Sequence, residues 1–389
     1  MGEILGLYAG AAKTNITPNK SVYIAGYGQN RKSTGVHDPI WCRVFLIQKD
    51  DIFLLILSLD LIGLFWNYIK RLRKEISRRF NLNENGIIIA CTHNHEGPDT
   101  LGLWGPNPFT SGVDEDYMDF LRDKILECIE SIYSRLDLAK IYVSKTELYD
   151  VAKNARDPGL LDPELSTIYI KDNSGKTICI TVNYANHAEA LGRKNTLITS
   201  DWPHYLYNYI EREVGGIAVF LNAALGGMIT PNVKRGCFEE AEKAGVKTAK
   251  AAINSLKKAE ELKLDNIRLV SKNIFFPLEN KNFYKLSEIG VLKRRLIDGM
   301  IESNITYVSL NNMVEIITIP GEALPKVGFK VKEILSAKYK FLIGLGNDEL
   351  GYIIPEEDFT PGKYEESMSL GPKTATILIK EIEKIKNII

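Results

Sequence analysis

"GIIIACTHNHEGPD", residues 86–99, is an apolar run that ends in two histidines, two acids, a glycine and a proline. A short continuous apolar run bounded by turn residues reads as a strand buried in a sheet. The Glu-Gly-Pro that follows turns the chain away at once. The 389 residues include only five histidines, and two of them, His93 and His95, stand here one residue apart.

Working outward, further apolar or β-branched runs predict strands at 43–48, 52–59, 140–148, 166–172, 177–185, 216–223, 267–276, 312–320 and 340–346. Longer periodic segments predict helices at 66–80, 114–135, 203–214, 238–258, 285–300, 324–335 and 373–386. Strands outnumber helices and the order is mixed. The implied class is α/β (mixed α+β), with β-sheets covered by helices. No internal repeat, low-complexity segment or Pro/Ser-rich linker divides the chain, so one domain over residues 1–389 is expected.

The bulk composition narrows the function. Basic and acidic residues number 49 each, so no global field favours nucleic acid or an anionic membrane. The basic stretch "KRLRKEISRR" (70–79) reads as a solvated helix face. The five cysteines are scattered, odd in number and form no Cys-x-x-Cys pair, which points to reduced thiols. The start has no basic region followed by an apolar core, so no signal peptide is read. The longest apolar run, "IFLLILSLDLIGLFW" (52–66), is broken by Asp60 and falls short of the roughly 20 residues of a membrane helix. A cytoplasmic protein without an integral membrane segment is expected, and the oligomeric state is not legible.

The histidines point to a metal. Residues two apart in an extended segment share a face, so His93 and His95 can face one cleft. Neutral imidazole is a good zinc ligand. His187, in "TVNYANHAEALG", ends another predicted strand. Catalytic zinc usually takes three protein ligands and leaves a position for water, and two histidines with a carboxylate is a frequent set. "IITIPGEALPK" offers Glu322 as the best carboxylate, at a strand end where a helix is expected to open. His37, in "GVHDP", is expected in a loop at the mouth of the site. His204 is expected on a helix near Asp201. Asp201 and Asp60 are candidates for acids that orient a histidine ligand.

Several short motifs, in order, resemble one family, the neutral/alkaline, non-lysosomal ceramidases. "GAAKTNITP", "AGYGQ" with "GVHDPIWCR", and "LSLDLIG" resemble its opening segments. "THNHEGP" stands where the family has Thr-His-Thr-His-Ser-Gly-Pro, so Glu96 takes the place of a serine. "NYANHAEALG" with "NTLITSDWPHYL", "IPGE" and "NDELGYIIPEEDFTPGKYEESMSLGP" resemble its later blocks. The last contains Tyr352 and Tyr364, twelve residues apart as in the family.

The resemblance implies the fold of the family's catalytic domain and a zinc amidohydrolase. It makes His93, His187, Glu322 and Tyr352 the metal ligands. His95 becomes a histidine beside the metal that faces the substrate, titrates near neutrality and passes a proton to the leaving nitrogen. Arg156 and Tyr364 would face the scissile group and stabilise its developing negative charge. The implied substrate is a small N-acylated molecule, ceramide-like or smaller, hydrolysed by zinc-activated water. Hydrolysis of an ester or sugar-linked bond, and a non-catalytic zinc-containing binding protein, are the alternatives.

Two departures bear on this. "ALGGMITPN" falls at the family's Gly-Asp-Val-Ser-Pro-Asn box. Thr230 replaces the serine proposed there as a nucleophile, and Gly227 or Met228 replaces the Asp. Water is therefore favoured over Thr230 as the attacking group, although threonine is able to act so beside a base. Only 25 residues follow Tyr364, so the family's C-terminal β-sandwich domain is not expected.

Overall fold

In the computed structural model, which describes residues 6–388, every residue of the strand Ile87–Cys91 is buried. Ile87, Ile89 and Cys91 enter one apolar core, while Ile88 and Ala90 enter another. A strand apolar on both faces needs a packed layer on each side. Here the layers are helices on one side and a second sheet on the other.

The first sheet has nine strands. Eight run in the order Ile217–Asn222, Thr177–Tyr184, Glu164–Asp172, Asp137–Glu147, Leu7–Asn15, Trp41–Lys49, Ile52–Leu59, Ile87–Cys91, and Glu260–Leu262 adds beside Asp137–Glu147. The two end pairs are parallel, and those between are antiparallel. Helices Trp66–Phe80 and Glu115–Tyr133 cover one half of the outer face. Helices Trp202–Glu213 and Phe238–Ser255 cover the other.

The inner face packs on a five-stranded sheet of Ile267–Pro277, Met300–Leu310, Val314–Ile319 and Tyr339–Gly344, with Leu296–Ile297 beside Met300–Leu310. Helices Pro325–Ile334 and Thr374–Ile388 close its far side. The architecture is helix, sheet, sheet, helix, which bears out the mixed α/β class with covered sheets. All five cysteines are unbridged. Among the described residues no helix is long and apolar enough to cross a membrane.

Three local expectations are corrected. The helix expected at 285–300 is a shorter one, Lys281–Glu288, capped by the Asn280 side chain. It ends before Gly290, whose φ of 74° is left-handed. The rest is a hairpin: Leu296–Ile297 pairs back on Met300–Ile301 through Asp298-Gly299, both with positive φ. Asp-Gly is a strong signal for such a turn. Next, Glu322 does not open a helix. It sits in the two-residue strand Glu322–Ala323, and the helix begins at Pro325. Finally, the strand Leu7–Asn15 escaped the sequence patterns because its middle is Ala9-Gly10-Ala11-Ala12. Small residues belong there because the helix Glu115–Tyr133 lies close: a Cβ on Gly10 would come within 2.6 Å of Ile132.

Arg43 fastens the sheet to the helix Trp202–Glu213. Its guanidinium stacks 3.6 Å over the Tyr207 ring, donates to the Ala218 carbonyl at 2.9 Å and pairs with Glu211. Burial works against the Glu211 charge, but Arg43 and then Lys13 hold its carboxyl below the usual 4.5. A carboxyl lowered in the folded chain stabilises it above its unfolded value, and the gain is lost as pH falls through the folded value. Glu211→Gln is expected to cost about 1–2 kcal/mol at pH 7, because the pair is partly screened by solvent. The difference from wild type should shrink as pH falls below about 4.5 and vanish only once pH has passed below the lowered folded value, read from urea unfolding midpoints at several pH values.

Candidate metal centre

Three parallel strand pairs end at one place. Ile52–Leu59 and Ile87–Cys91 lead into the histidine loop. Thr177–Tyr184 and Ile217–Asn222 lead into "NHAE" and "GGMIT". In the second sheet, Val314–Ile319 and Tyr339–Gly344 lead into a shorter parallel pair, Glu322–Ala323 with Tyr352–Ile353, in which Glu322 faces Tyr352 directly. Asn94 and Ala188 form a parallel bridge between the first two loops. Asn222 ties them from below, donating to the Thr92 carbonyl at 2.9 Å and the Asn186 carbonyl at 2.8 Å.

His93, His95 and His187 are all buried, and one ring nitrogen from each lies within 4.8 Å of the others. The backbone route to this differs from a regular strand. His93 has a φ of 61°, so the chain kinks where the strand has ended. Both rings still reach the cluster, with centroids 4.9 Å apart.

The ring contacts separate the three histidines. His93 Nδ1 contacts the Ile62 carbonyl at 2.8 Å and His187 Nδ1 the Ile229 carbonyl at 2.7 Å. A carbonyl oxygen only accepts, so each Nδ1 carries a proton and each Nε2 is the nitrogen left to bind a metal. Both Nε2 atoms converge on Glu322 Oε2, at 3.4 Å from His93 and 3.1 Å from His187. Two imidazole nitrogens and a carboxylate oxygen at one point form a donor set that fits zinc.

His95 has no hydrogen-bond partner at either nitrogen, and its Nδ1 lies 3.4 Å from Glu189 Oε2. Burial, then His93 and His187, hold it well below the ordinary histidine value, so it is neutral at pH 7. The expectation that it titrates near neutrality is thereby corrected. Burial also opposes charge on His187, yet Glu189, then Glu322, push it up to about 9. Glu322 is buried too, but His93 and His187 hold its carboxyl well below the usual range. Without a metal the carboxylate is balanced by a charged histidine.

A narrow, mainly apolar cleft opens onto this cluster. Ile62, Phe65, Leu101, Leu103, Trp104, Phe283, Leu292, Leu350 and Met368 line it, with His93, His95, Glu322, Tyr352 and Tyr364 at its polar end. The Tyr352 hydroxyl donates to Met228 Sδ at 3.3 Å. Tyr364 packs edge-on to Tyr352, with ring centroids 6.2 Å apart.

Arg156 and Thr230 are not among the cleft-lining residues. The Arg156 guanidinium is taken up by Glu365, by Glu366 at 2.8 Å and by the Asp358 carbonyl at 3.1 Å, and so fixes the turn that carries Tyr364. Thr230 lies opposite Lys153 in a short antiparallel pair. Its neighbour Ile229 supplies the carbonyl that orients His187. Gly226 packs so tightly that a Cβ there would lie 2.3 Å from the Glu322 carbonyl. Gly226 is thus needed for close packing behind the carboxylate, and Gly227 for its left-handed φ of 83°.

The remaining histidines stand apart from the cluster. His37 stacks on Phe238 at 3.6 Å and contacts Asp38 at 2.8 Å, and His204 Nδ1 contacts the other Asp38 oxygen at 3.1 Å. Asp201 does not orient a histidine ring. Its carboxylate accepts from the backbone N–H groups of Ala190, Leu191 and Trp202, which fixes the chain after His187. Glu96 pairs with Arg31 at 3.4 Å and accepts from Asn195 at 2.9 Å, pinning the histidine loop to two neighbouring loops. Two acids escaped the sequence reading. Glu189 follows His187 by two residues and contacts His95. Glu349 lines the cleft with one oxygen on the Gly351 N–H at 2.8 Å and the other unpartnered, and burial, then Glu322, push it well above the ordinary carboxylate range. A single acid among 49 carries no sequence signal of such a role.

The family model described as "Neutral/alkaline non-lysosomal ceramidase, N-terminal" matches residues 8–318. Two curated proteins named neutral ceramidase are similar. The one from Pseudomonas aeruginosa is 24% identical over 247 residues, which cover 58% of this chain and 37% of that protein. The one from Mycobacterium tuberculosis is 25% identical over 246 residues, covering 54% of this chain and 37% of that protein. The match therefore spans just over a third of the length of these relatives. Among solved structures, neutral ceramidase from Pseudomonas aeruginosa superposes with a TM-score of 0.81 at 18% identity, over 99% of this chain and 75% of that one. A ceramidase complexed with C2 superposes with a TM-score of 0.83 at 18% identity, over 98% of this chain and 75% of that one. At this identity the likeness is one of fold.

Proposed function

The chain belongs to the neutral/alkaline non-lysosomal ceramidase family, and from that premise we propose that it is a zinc-dependent hydrolase of the amide bond of an N-acylated substrate, ceramide-like or smaller, working as a single catalytic unit. One observation carries the reading. The Nε2 atoms of His93 and His187, each with its Nδ1 pinned by a carbonyl, meet Glu322 at the floor of an apolar cleft. We assign these three residues and Tyr352 as zinc ligands. When bound, zinc polarises a carbonyl and lowers the pKa of a bound water to about 7.

The other residues divide the remaining work. The apolar cleft holds the acyl portion and excludes water. Tyr364, its turn fixed by Arg156, offers a hydroxyl to the charge that develops on the carbonyl oxygen. His95 is neutral and unpartnered, so it is free to accept a proton and deliver it to the leaving nitrogen. Glu189 lies where it stabilises His95 once charged. Chelation should abolish hydrolysis in a screen of N-acyl substrates of graded length, and elemental analysis should return one zinc per chain. A metal-free chain of undiminished activity would overturn the reading.

Water is the attacking group in this proposal. Where the family box has an acid this chain has Gly227 or Met228, and the Met228 sulfur is occupied by Tyr352. That box supplies no carboxylate to activate the threonine. Thr230→Ala is therefore expected to lower kcat/KM by less than about tenfold, whereas loss of a nucleophile costs on the order of 10³ or more. A burst of covalent intermediate in wild type that is absent from Thr230→Ala would show the threonine to be the nucleophile.

A further inference from the structure

We propose that Glu349 reads a hydroxyl group on the substrate, and so selects N-acyl molecules that carry one near the scissile amide; this rests on the reading of the cleft given above. Glu349 stands in the wall of the cleft and is only 5% exposed. Its backbone is fixed on both sides. The N–H donates to Asp348 Oδ1 at 2.8 Å, and Arg294 donates to the carbonyl. Arg294 also pairs with Asp348 at 2.8 Å, so that cation is held on the backbone side. Gly63 leaves room for the side chain: a Cβ there would lie 2.9 Å from both Cβ and Cγ of Glu349.

The carboxyl is nonetheless only half used. Its Oε1 accepts from the Gly351 N–H at 2.8 Å, while its Oε2 is buried without a hydrogen-bond partner. The same wall is otherwise apolar, with Ile62, Phe65 and Leu350. A buried oxygen left unpaired works against folding and calls for an explanation. In an apolar cleft, a few placed polar groups are what fix the orientation and identity of a ligand.

Position and chemistry identify the ligand group. Gly351 gives its N–H to Glu349 and its carbonyl to the Glu322 N–H, the latter at 3.0 Å. A single residue thus separates the Glu349 carboxyl from the backbone of an assigned zinc ligand, and the group it meets lies a few atoms from the scissile amide. A hydroxyl both donates and accepts, so it pairs with a carboxyl whether or not that carboxyl is ionised. An ammonium would first have to be stripped of water in an apolar cleft, at a far greater cost. The hydroxyl belongs either to the amine portion, as in an N-acyl amino alcohol, or to the acyl portion, as in a 2-hydroxy acid amide.

The test uses two matched pairs of short, water-soluble amides: an N-acyl amino alcohol with its deoxy counterpart, and a 2-hydroxyacyl amide with its plain acyl counterpart. Both kcat/KM and the calorimetric Kd are measured for zinc-loaded wild type, Glu349→Leu and Glu349→Gln. Wild type should prefer the hydroxyl-bearing member of one pair by about tenfold or more, the order expected for one hydrogen bond to a buried group. The pair that shows the preference tells which portion carries the hydroxyl. In Glu349→Leu the ratio should fall to about one. Glu349→Gln keeps an acceptor for the Gly351 N–H and should lie between. Both variants should hold as much zinc as wild type. A purely structural role for Glu349 would affect both members of a pair alike, and a ratio that Glu349→Leu leaves unchanged would overturn the proposal. So would a wild type with no preference in either pair, or zinc lost from either variant. Where the leucine variant fails to fold, an unchanged ratio in Glu349→Gln overturns it instead. A chain that hydrolyses none of the four amides would sink the functional reading, and the ratio of Kd values would then support or overturn the role of Glu349 independently.

Discussion

Replacing His187 by alanine should leave a folded chain that retains less than about a tenth of its zinc and hydrolyses amides at least about 10³-fold more slowly. Its Nδ1 is pinned to the Ile229 carbonyl and its Nε2 lies 3.1 Å from Glu322. The ligands left would be His93, Glu322 and Tyr352, and a phenol binds well only when the metal's charge removes its proton. The substitution also strips Glu322 of its nearest partner inside a buried site, so a stability loss of about 2–4 kcal/mol is expected. Thermal melts of the metal-free proteins separate that loss from the loss of zinc. Millimolar imidazole should restore part of the zinc, because the alanine leaves a ring-sized void. His95→Ala gives the contrast. It should keep its zinc and still lose activity, since His95 has no carbonyl pinning either nitrogen. Full zinc in His187→Ala, or zinc lost in His95→Ala, would reverse the assignment of the two residues.

What the sequence made legible follows from where the site was built. His93 and His187 are read from local signals: an apolar run, then a turn, with a histidine between them. The proline-glycine that stops the strand Val314–Ile319 singles out Glu322 in the same way. All three stand beyond the carboxyl ends of parallel strands, where loops carry function on a rigid support. The partnership of Glu322 with Tyr352 is of another kind. It comes from a two-residue parallel pair between segments that share no local pattern, and only the family spacing of the two tyrosines pointed to it. The division of labour proposed for His93 and His95 came from the family resemblance alone, because its local causes are a left-handed residue and the distant Ile62 carbonyl. Leu7–Asn15 was missed because a strand pressed by a helix needs small residues, and small residues carry little strand signal.

The sequence offers Asp60 as a candidate acid to orient a histidine ligand, and its contacts give it a different task with a large expected effect. Its side chain is fully buried at the end of the strand Ile52–Leu59. One carboxylate oxygen accepts from the Trp41 N–H at 3.0 Å and the Ser200 hydroxyl at 2.7 Å, and the other from the Tyr207 hydroxyl at 2.9 Å. Its backbone carbonyl accepts from Asn94 at 3.1 Å, inside the histidine loop. Burial pushes the carboxyl above its ordinary value, against Arg43 and these donors, so its charge is costly and the donors are what hold it there. Asp60→Ala would leave three buried donors without an acceptor, at about 1–3 kcal/mol each before relaxation. A net loss of about 3–5 kcal/mol and a fall in Tm on the order of 10 °C are expected. Asp60→Asn keeps one acceptor but turns an N–H₂ toward a donor, so it should fall between alanine and wild type. Below the melting range the folded alanine variant should still bind zinc, because the carbonyls of Ile62 and Ile229, rather than Asp60, set the histidine rings. If it melted like wild type yet lost its zinc, Asp60 would be acting on the metal site itself. The expected result places its effect one layer further out, in the junction of strand, loop and helix that keeps the two histidine loops in register.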